Sequence, residues 1–150
     1  MRVVIQRVSS ASVEVNGKVI TAIGKGLLIL TGTEEEDTPA DVNWLCSKIA
    51  KLRIFDDHEG VMNLPVTEAK GEILLVSQFT LHASTKKGNR PSYIRAARPG
   101  KALLLYNLFI STLSRESGTE VKTGVFGAMM NVALINSGPV TILMDSKNKE

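Results

Sequence analysis

The sequence predicts an α/β fold: a single compact domain of mixed β-sheets with two main helices. Three observations predict it. Strand-like apolar or alternating runs recur along the whole chain, whereas only two segments repeat apolar residues at helical spacing. The 150 residues suit one domain. Hydrophobic residues at 43% and charged residues at 22% are ordinary globular proportions, and no repeat, linker or low-complexity stretch divides the chain.

VVIQRV and SVEV alternate as strands do, and Asn16-Gly17 then KVITAI complete a hairpin signal, because this dipeptide adopts the positive φ angles of a two-residue turn. Gly24-Lys25-Gly26 turns the chain into LLILTGT, a continuous apolar run that reads as a buried strand. After an acidic loop, Thr38 is a good helix N-cap, with Pro39 at the first helical position and Asp41 three residues after the cap. Val42, Leu45, Cys46, Ile49 and Leu52 then form one apolar stripe, which accounts for the single cysteine. A turn is expected over 56–60, and Gly71 precedes a second buried strand, ILLVSQFTL. Pro99-Gly100 leads into a second helix over about 101–116, with Leu104, Leu105, Leu108, Phe109 and Leu113 inward and Gly118 as C-cap. VFGAMMNVALIN and VTILMD read as two strands around Ser137-Gly138-Pro139, and 147–150 as a frayed end.

The inventory excludes several function classes. One cysteine cannot form an internal disulfide, no CxxC or Cys/His cluster offers a zinc site, and neither metal nor cofactor is expected. The first residues lack the apolar core of a signal peptide, and no run reaches the roughly 20 apolar residues of a membrane span, so a soluble cytoplasmic protein without a membrane partner is expected. No GxSxG, HExxH or P-loop appears. His58 lies in DDHEG and reads as a solvated turn, and His82 has no acid near it in sequence to orient its ring for catalysis.

Two stretches hold the interest. Ser77, Gln78 and Thr80 place polar side chains at the end of an apolar strand, which fits either ladder termination or a site; Thr80 as a nucleophile has no evident base. The net charge of +3 is small, yet residues 82–101 carry Lys86, Lys87, Arg90, Arg95, Arg98 and Lys101 without one acid. Such a segment is either a solvated surface or a phosphate-binding one, with Tyr93 available to stack on a base.

SQFTL at 77–81 and NSGPVT at 136–141 resemble the two signature motifs of the D-aminoacyl-tRNA deacylase family, also called D-tyrosyl-tRNA deacylase. MRVVIQRVSSASV, WLCSKIAKLRIF, KKGNRPSY and KTGVFGAMMNVALINSGPVTI are similar to it as well, so the likeness covers nearly the whole chain. Pro65, where serine is more usual, is a small departure. The resemblance implies a DTD-like fold and hydrolysis of the ester joining a D-amino acid to tRNA, a proofreading step of translation. It implies that the amides of Phe79 and Thr80 hold the oxyanion while Ser77 and Gln78 shape the pocket. It also implies a homodimer in which Gly138-Pro139, with a cis peptide and braced by Arg7, enters the other subunit's site and excludes L residues. The terminal 2′-hydroxyl of the tRNA would assist cleavage, glycyl-tRNA would escape rejection, and Lys86, Lys87 and Arg90 would meet the acceptor stem. Two rivals remain open: a non-catalytic RNA-binding module, and a small-ester hydrolase using Thr80 or His82.

Overall fold

The computed structural model describes residues 1–150. Strand β1 (Arg2–Val15) runs unbroken through both N-terminal segments and is the spine of the molecule. At Asn16 and Gly17, φ is 50° and 75°, and the turn returns the chain as β2 (Lys18–Ile23), antiparallel to the second half of β1. Strand β3 (Gly26–Gly32) pairs antiparallel with the first half. Helix α1 (Pro39–Ala50) and a small ribbon of β4 (Phe55–Asp56) and β5 (Met62–Leu64) lead to β6 (Glu72–Ser77), which lies parallel to β3. A short 3-10 turn (Phe79–His82), the basic segment and helix α2 (Pro99–Ser117) precede β7 (Val121–Thr123), parallel to β6. Strand β8 (Asn131–Asp145) closes the fold antiparallel to β1. The main sheet thus runs β2-β1-β3-β6-β7, with β8 on the outer edge of β1.

The apolar runs of β3 and β6 are continuous because both faces of these strands are buried. Leu27, Ile29, Ile73 and Leu75 pack under α1 and α2 with Val42, Leu45, Ile49, Phe109 and Leu113. Leu28, Leu74 and Val76 point the other way, onto Val8, Ala11, Val13 and Ile23. The sheet curls over this second cluster: Glu72 Oε2 accepts from Gly24 N at 2.6 Å, and Lys122 Nζ donates to Ala22 O at 2.9 Å and Glu72 Oε1 at 2.8 Å. The result approaches a barrel with helices on one flank.

Local signals place the helices well. Thr38 N and Oγ1 both donate to Asp41 Oδ2, at 2.8 and 3.0 Å. Burial favours the neutral form of Asp41, but hydrogen bonds from Ser146, Lys147 and Thr38 outweigh it and hold this carboxyl well below the usual range. Lys147 is therefore anchored at 2.9 Å from Asp41 rather than frayed. Cys46 is fully buried in the α1 stripe, which pushes its thiol up to about 12. Gly118 ends α2 with φ 64°.

Four further expectations need correction. Helix α2 starts at Pro99, and Leu104 is 73% exposed; the stripe follows Leu105, Tyr106, Phe109, Thr112 and Leu113, and Leu104 falls beside it. Strand β6 stops at Ser77, where Gln78 N donates to Thr31 O at 2.7 Å as the last ladder bond before the chain turns. The stretch 125–130 is not strand; β8 begins only at Asn131. Finally, 131–145 is one strand rather than two, so Ser137-Gly138-Pro139 is a bulge within it. No helix is long and apolar enough to cross a membrane.

Candidate active site

The 77–82 segment leaves the carboxyl end of the parallel strand β6, where open α/β sheets present their chemistry. Gln78 has φ −145° and ψ 82°, and Phe79 starts the 3-10 turn. The amides of Phe79 and Thr80 donate to no other group of the chain. That is the normal state of the first donors of a helical turn, and it leaves them free for a ligand. Gln78 Nε2 donates to Thr80 Oγ1 at 2.5 Å, so the hydroxyl serves as an acceptor for an amide and has no base beside it. Phe79 is 57% exposed, and its ring meets that of Tyr93 edge-on, with centroids 5.1 Å apart.

Behind this turn the packing is close. A Cβ added to Gly32 would stand 2.8 Å from Gln78 O, 3.0 Å from His82 Cδ2 and 3.1 Å from Leu81 Cβ. The turn rests directly on the end of β3 because Gly32 has no side chain. His82 is fully buried, which removes it from reach of any substrate and from the catalytic candidates. Its Nδ1 lies 3.0 Å from Glu34 Oε1, without the alignment of a hydrogen bond. Arg2 Nη1 donates to Leu81 O at 3.2 Å while its Nε holds Asp145 Oδ2 at 2.8 Å.

The second segment is built by register. Gln6 pairs with Thr141 and Val8 with Asn136, so one residue of β1, Arg7, stands opposite four of β8 and the excess is extruded as a bulge. Arg7 occupies the gap. Its Nε donates to Ser137 O at 2.9 Å, and its Nη1 donates to Ile54 O at 2.8 Å and Asp56 Oδ1 at 3.0 Å. Asn136 spans the bulge from the other side: its Oδ1 accepts from Val140 N at 2.8 Å, and its Nδ2 donates to Thr141 Oγ1 at 2.9 Å. The Gly138–Pro139 peptide is cis, and both residues are exposed. Gly138 has φ 136°, and an added Cβ would stand 2.8 Å from Val140 Cγ2 and 3.1 Å from Arg7 Nη2.

In the basic segment, Ser84 and Ser92 exchange backbone hydrogen bonds of 2.8 and 2.9 Å, closing a loop around Gly88. Lys86, Lys87 and Arg90 sit exposed at its tip, and none pairs with an acid. The base of the segment differs from its linear reading, because the acidic loop folds against it. Arg95 Nη2 meets Glu34 Oε1 at 2.5 Å, Arg98 N donates to Glu35 Oε2 at 3.0 Å, and Lys101 Nζ donates to Glu35 O.

Ser77, Gln78, Phe79 and Thr80 are thus one surface turn, and Arg7, Gly138 and Pro139 one bulge. Within the chain they do not meet. The turn hangs from Thr31 and Gly32, opposite Val3 and Arg2, whereas the bulge stands at Arg7. Arg7 is five positions along β1 from Arg2, a distance of roughly 17 Å. Sequence reasoning missed Glu34, Asn136, Asp56 and Gly32; of these only Asn136, in NSGPVT, sat inside a motif already singled out.

Known proteins carry the same architecture. The sequence profile of the family described as D-Tyr-tRNA(Tyr) deacylase matches residues 4–145. A D-aminoacyl-tRNA deacylase of Bacteroides thetaiotaomicron is 61% identical over 150 residues, covering 100% of both chains. Another from Phocaeicola vulgatus is 62% identical over the same span. Of the solved structures, one described as a c-Myc DNA Unwinding Element Binding Protein is similar with a TM-score of 0.90 and 40% identity, covering 97% of this chain and 98% of that one. A second, described as a probable eukaryotic D-amino acid tRNA deacylase, shares the fold at a TM-score of 0.81 and 18% identity, covering 95% of this chain and 97% of that one. A profile match from β1 to the end of β8, together with full-length relatives at this identity, makes the chain a member of the D-aminoacyl-tRNA deacylase family.

Proposed function

We propose that this protein hydrolyses the ester bond of D-aminoacyl-tRNA, releasing the free D-amino acid and intact tRNA. The observation that carries the reading is the pair of unengaged amides at Phe79 and Thr80, exposed at the mouth of the 77–82 turn. Two adjacent unengaged N–H donors suit the oxyanion that forms when water attacks an ester carbonyl. The ester is already activated, and the neighbouring 2′-hydroxyl of the terminal ribose supplies a polar group to orient water. No protein nucleophile is needed, in keeping with a Thr80 hydroxyl engaged by Gln78 and a sealed His82. Ser77 and Gln78 shape the turn. The uncompensated tip at Lys86, Lys87 and Arg90 suits phosphates of the acceptor stem.

Chiral selection falls to Gly138 and Pro139. Arg7 and Asn136 fix this bulge from inside, and its outward main-chain carbonyls suit capture of the substrate amino group. A rigid backbone close to the substrate Cα leaves room for a D side chain pointing away and none for an L one, while glycine passes. Because the bulge and the turn are too far apart along β1 to touch one amino-acid moiety, a second copy supplies the bulge. The edge of β8 supports that homodimer: its outer ladder groups have no partner in the chain, and Ile135, Leu143 and nearby Met129 are 62%, 67% and 91% exposed. A protein acting on aminoacyl-tRNA works where translation does, in the cytoplasm, and this mechanism uses no cofactor.

The cationic tip, together with the likeness to a solved structure described as a DNA unwinding element binding protein, favours a second reading, nucleic-acid binding without catalysis. One assay separates the two: incubation with D-Tyr-tRNA, L-Tyr-tRNA and Gly-tRNA. Fast release of the D and glycyl esters with the L ester spared supports the proposal, and equal release at the spontaneous rate from all three supports the binding module.

A further inference from the structure

Among the cations of the basic segment, Arg95 differs from the tip residues in where its charge goes. Its guanidinium meets Glu34 Oε1 at 2.5 Å, and the same oxygen lies 3.0 Å from Nδ1 of the buried His82. Glu34 is held in turn. Its N–H donates to Asp37 Oδ2 at 2.7 Å, its carbonyl accepts from Asp37 N at 3.1 Å, and it bridges Ala96, beside which Ala97 N donates to Thr33 O at 2.8 Å. A fixed carboxylate therefore sits between a half-exposed cation and the last residue of the 77–82 turn.

We infer that Arg95 is a positioning residue for that turn, acting through Glu34 and His82, rather than a phosphate ligand. The inference rests on the deacylase reading and adds a specific division of labour within the basic segment. A carboxylate with 15% side-chain exposure is costly to keep in place without a counter-charge. Without Arg95, Glu34 swings toward water, and His82 loses the group that fills the space beside its ring. His82 is packed against Gly32 and ends the turn that begins with the Phe79 and Thr80 amides, so its shift moves those donors. Misplaced donors slow the chemical step. A lost phosphate contact weakens binding instead.

Single-turnover hydrolysis of D-Tyr-tRNA, with enzyme in excess, separates these effects through the maximal rate, the half-saturating enzyme concentration and its salt dependence. Lys86→Gln supplies the phosphate-contact pattern: a raised half-saturating concentration and a salt slope shallower by about 1. Arg95→Gln is expected to lower the maximal rate about 10-fold or more, with the half-saturating concentration and salt slope near those of the unsubstituted protein. Arg95→Lys restores most of the rate, because it keeps a cation against Glu34. Glu34→Gln, close in shape, gives an independent second variant with the same rate loss, and the double variant is no slower than the slower single one. An Arg95→Gln protein with an unchanged maximal rate overturns the inference, whether or not its salt slope falls. That outcome differs from failure of the underlying reading, in which the unsubstituted protein releases no D-tyrosine.

Discussion

The 77–82 turn and the 137–139 bulge are both exposed main chain, yet they are held in opposite ways. The turn is supported from beneath: Gly32 brings β3 into contact with it, Gln78 N finishes the β6 ladder, and Arg2 and His82 fix its far end. Its free groups are donors. The bulge is suspended from an edge strand by two side chains, Arg7 and Asn136, and it projects into solvent. Its free groups are acceptors, and no pocket of its own chain receives them. A donor site and an acceptor site on one polypeptide are complementary in hydrogen bonding, which is what the proposed symmetric pair of copies needs from each.

The sharpest way to break this comparison is to remove a donor from the turn. Phe79→Pro deletes one amide at the first position of the 3-10 turn, where proline is tolerated and the preceding Gln78 is outside the helical region, and the expected loss in hydrolysis rate is about 10² to 10³. Gly138→Ala tests the bulge. The new Cβ collides with Val140 and Arg7, and a displacement of roughly 1 Å in a positioning element can cost about 10²-fold in rate. Rates on D-Tyr-tRNA and L-Tyr-tRNA report whether selectivity falls with it. Arg7→Lys should have a smaller effect. One ammonium cannot serve Ser137 O, Ile54 O and Asp56 together, and each carbonyl left dry costs about 1 to 3 kcal/mol, read as a lower unfolding temperature with reduced D selectivity. Thr80→Val should change least, keeping activity within about tenfold, because the contribution proposed for this residue is its amide; a loss on the scale of a deleted nucleophile would contradict that.

Acid stability sharpens the same contrast. Burial favours the neutral form of Asp145, but hydrogen bonds from Arg2 and Lys147 N dominate and bring it to about 2. A folded-state value below the unfolded one means that its stabilisation is complete at neutral pH and is lost as pH falls from about 4 toward 2. Asp145→Asn should therefore lower stability at pH 7 and flatten the acid limb of the unfolding profile over that window.

Features set by neighbours in sequence were legible without the structure. Asn16-Gly17, the Thr38-Pro39-Asp41 cap and Gly118 each depend on a few adjacent residues, and each forms as those residues dictate. The two signature stretches were located by resemblance. The bulge was not legible as a bulge, because its register is decided by β1, more than a hundred residues earlier. The same holds for the base of the basic segment, which has no acid nearby in sequence, yet in space Arg95 meets the Glu34 carboxylate while Arg98 N and Lys101 bond Glu35. Leu104 was misplaced because a single apolar stripe at helical spacing does not fix which of two adjacent leucines faces inward.

The central claim, that one copy's turn works with the other copy's bulge, is tested most directly by complementation. Phe79→Pro and Gly138→Ala chains are each expected to be nearly inactive alone. Mixed under conditions that allow subunit exchange, they form heterodimers in which an intact turn from one chain faces an intact bulge from the other. The account predicts that hydrolysis of D-Tyr-tRNA, with L-Tyr-tRNA still spared, reappears on mixing. A mixture no more active than its components would contradict it.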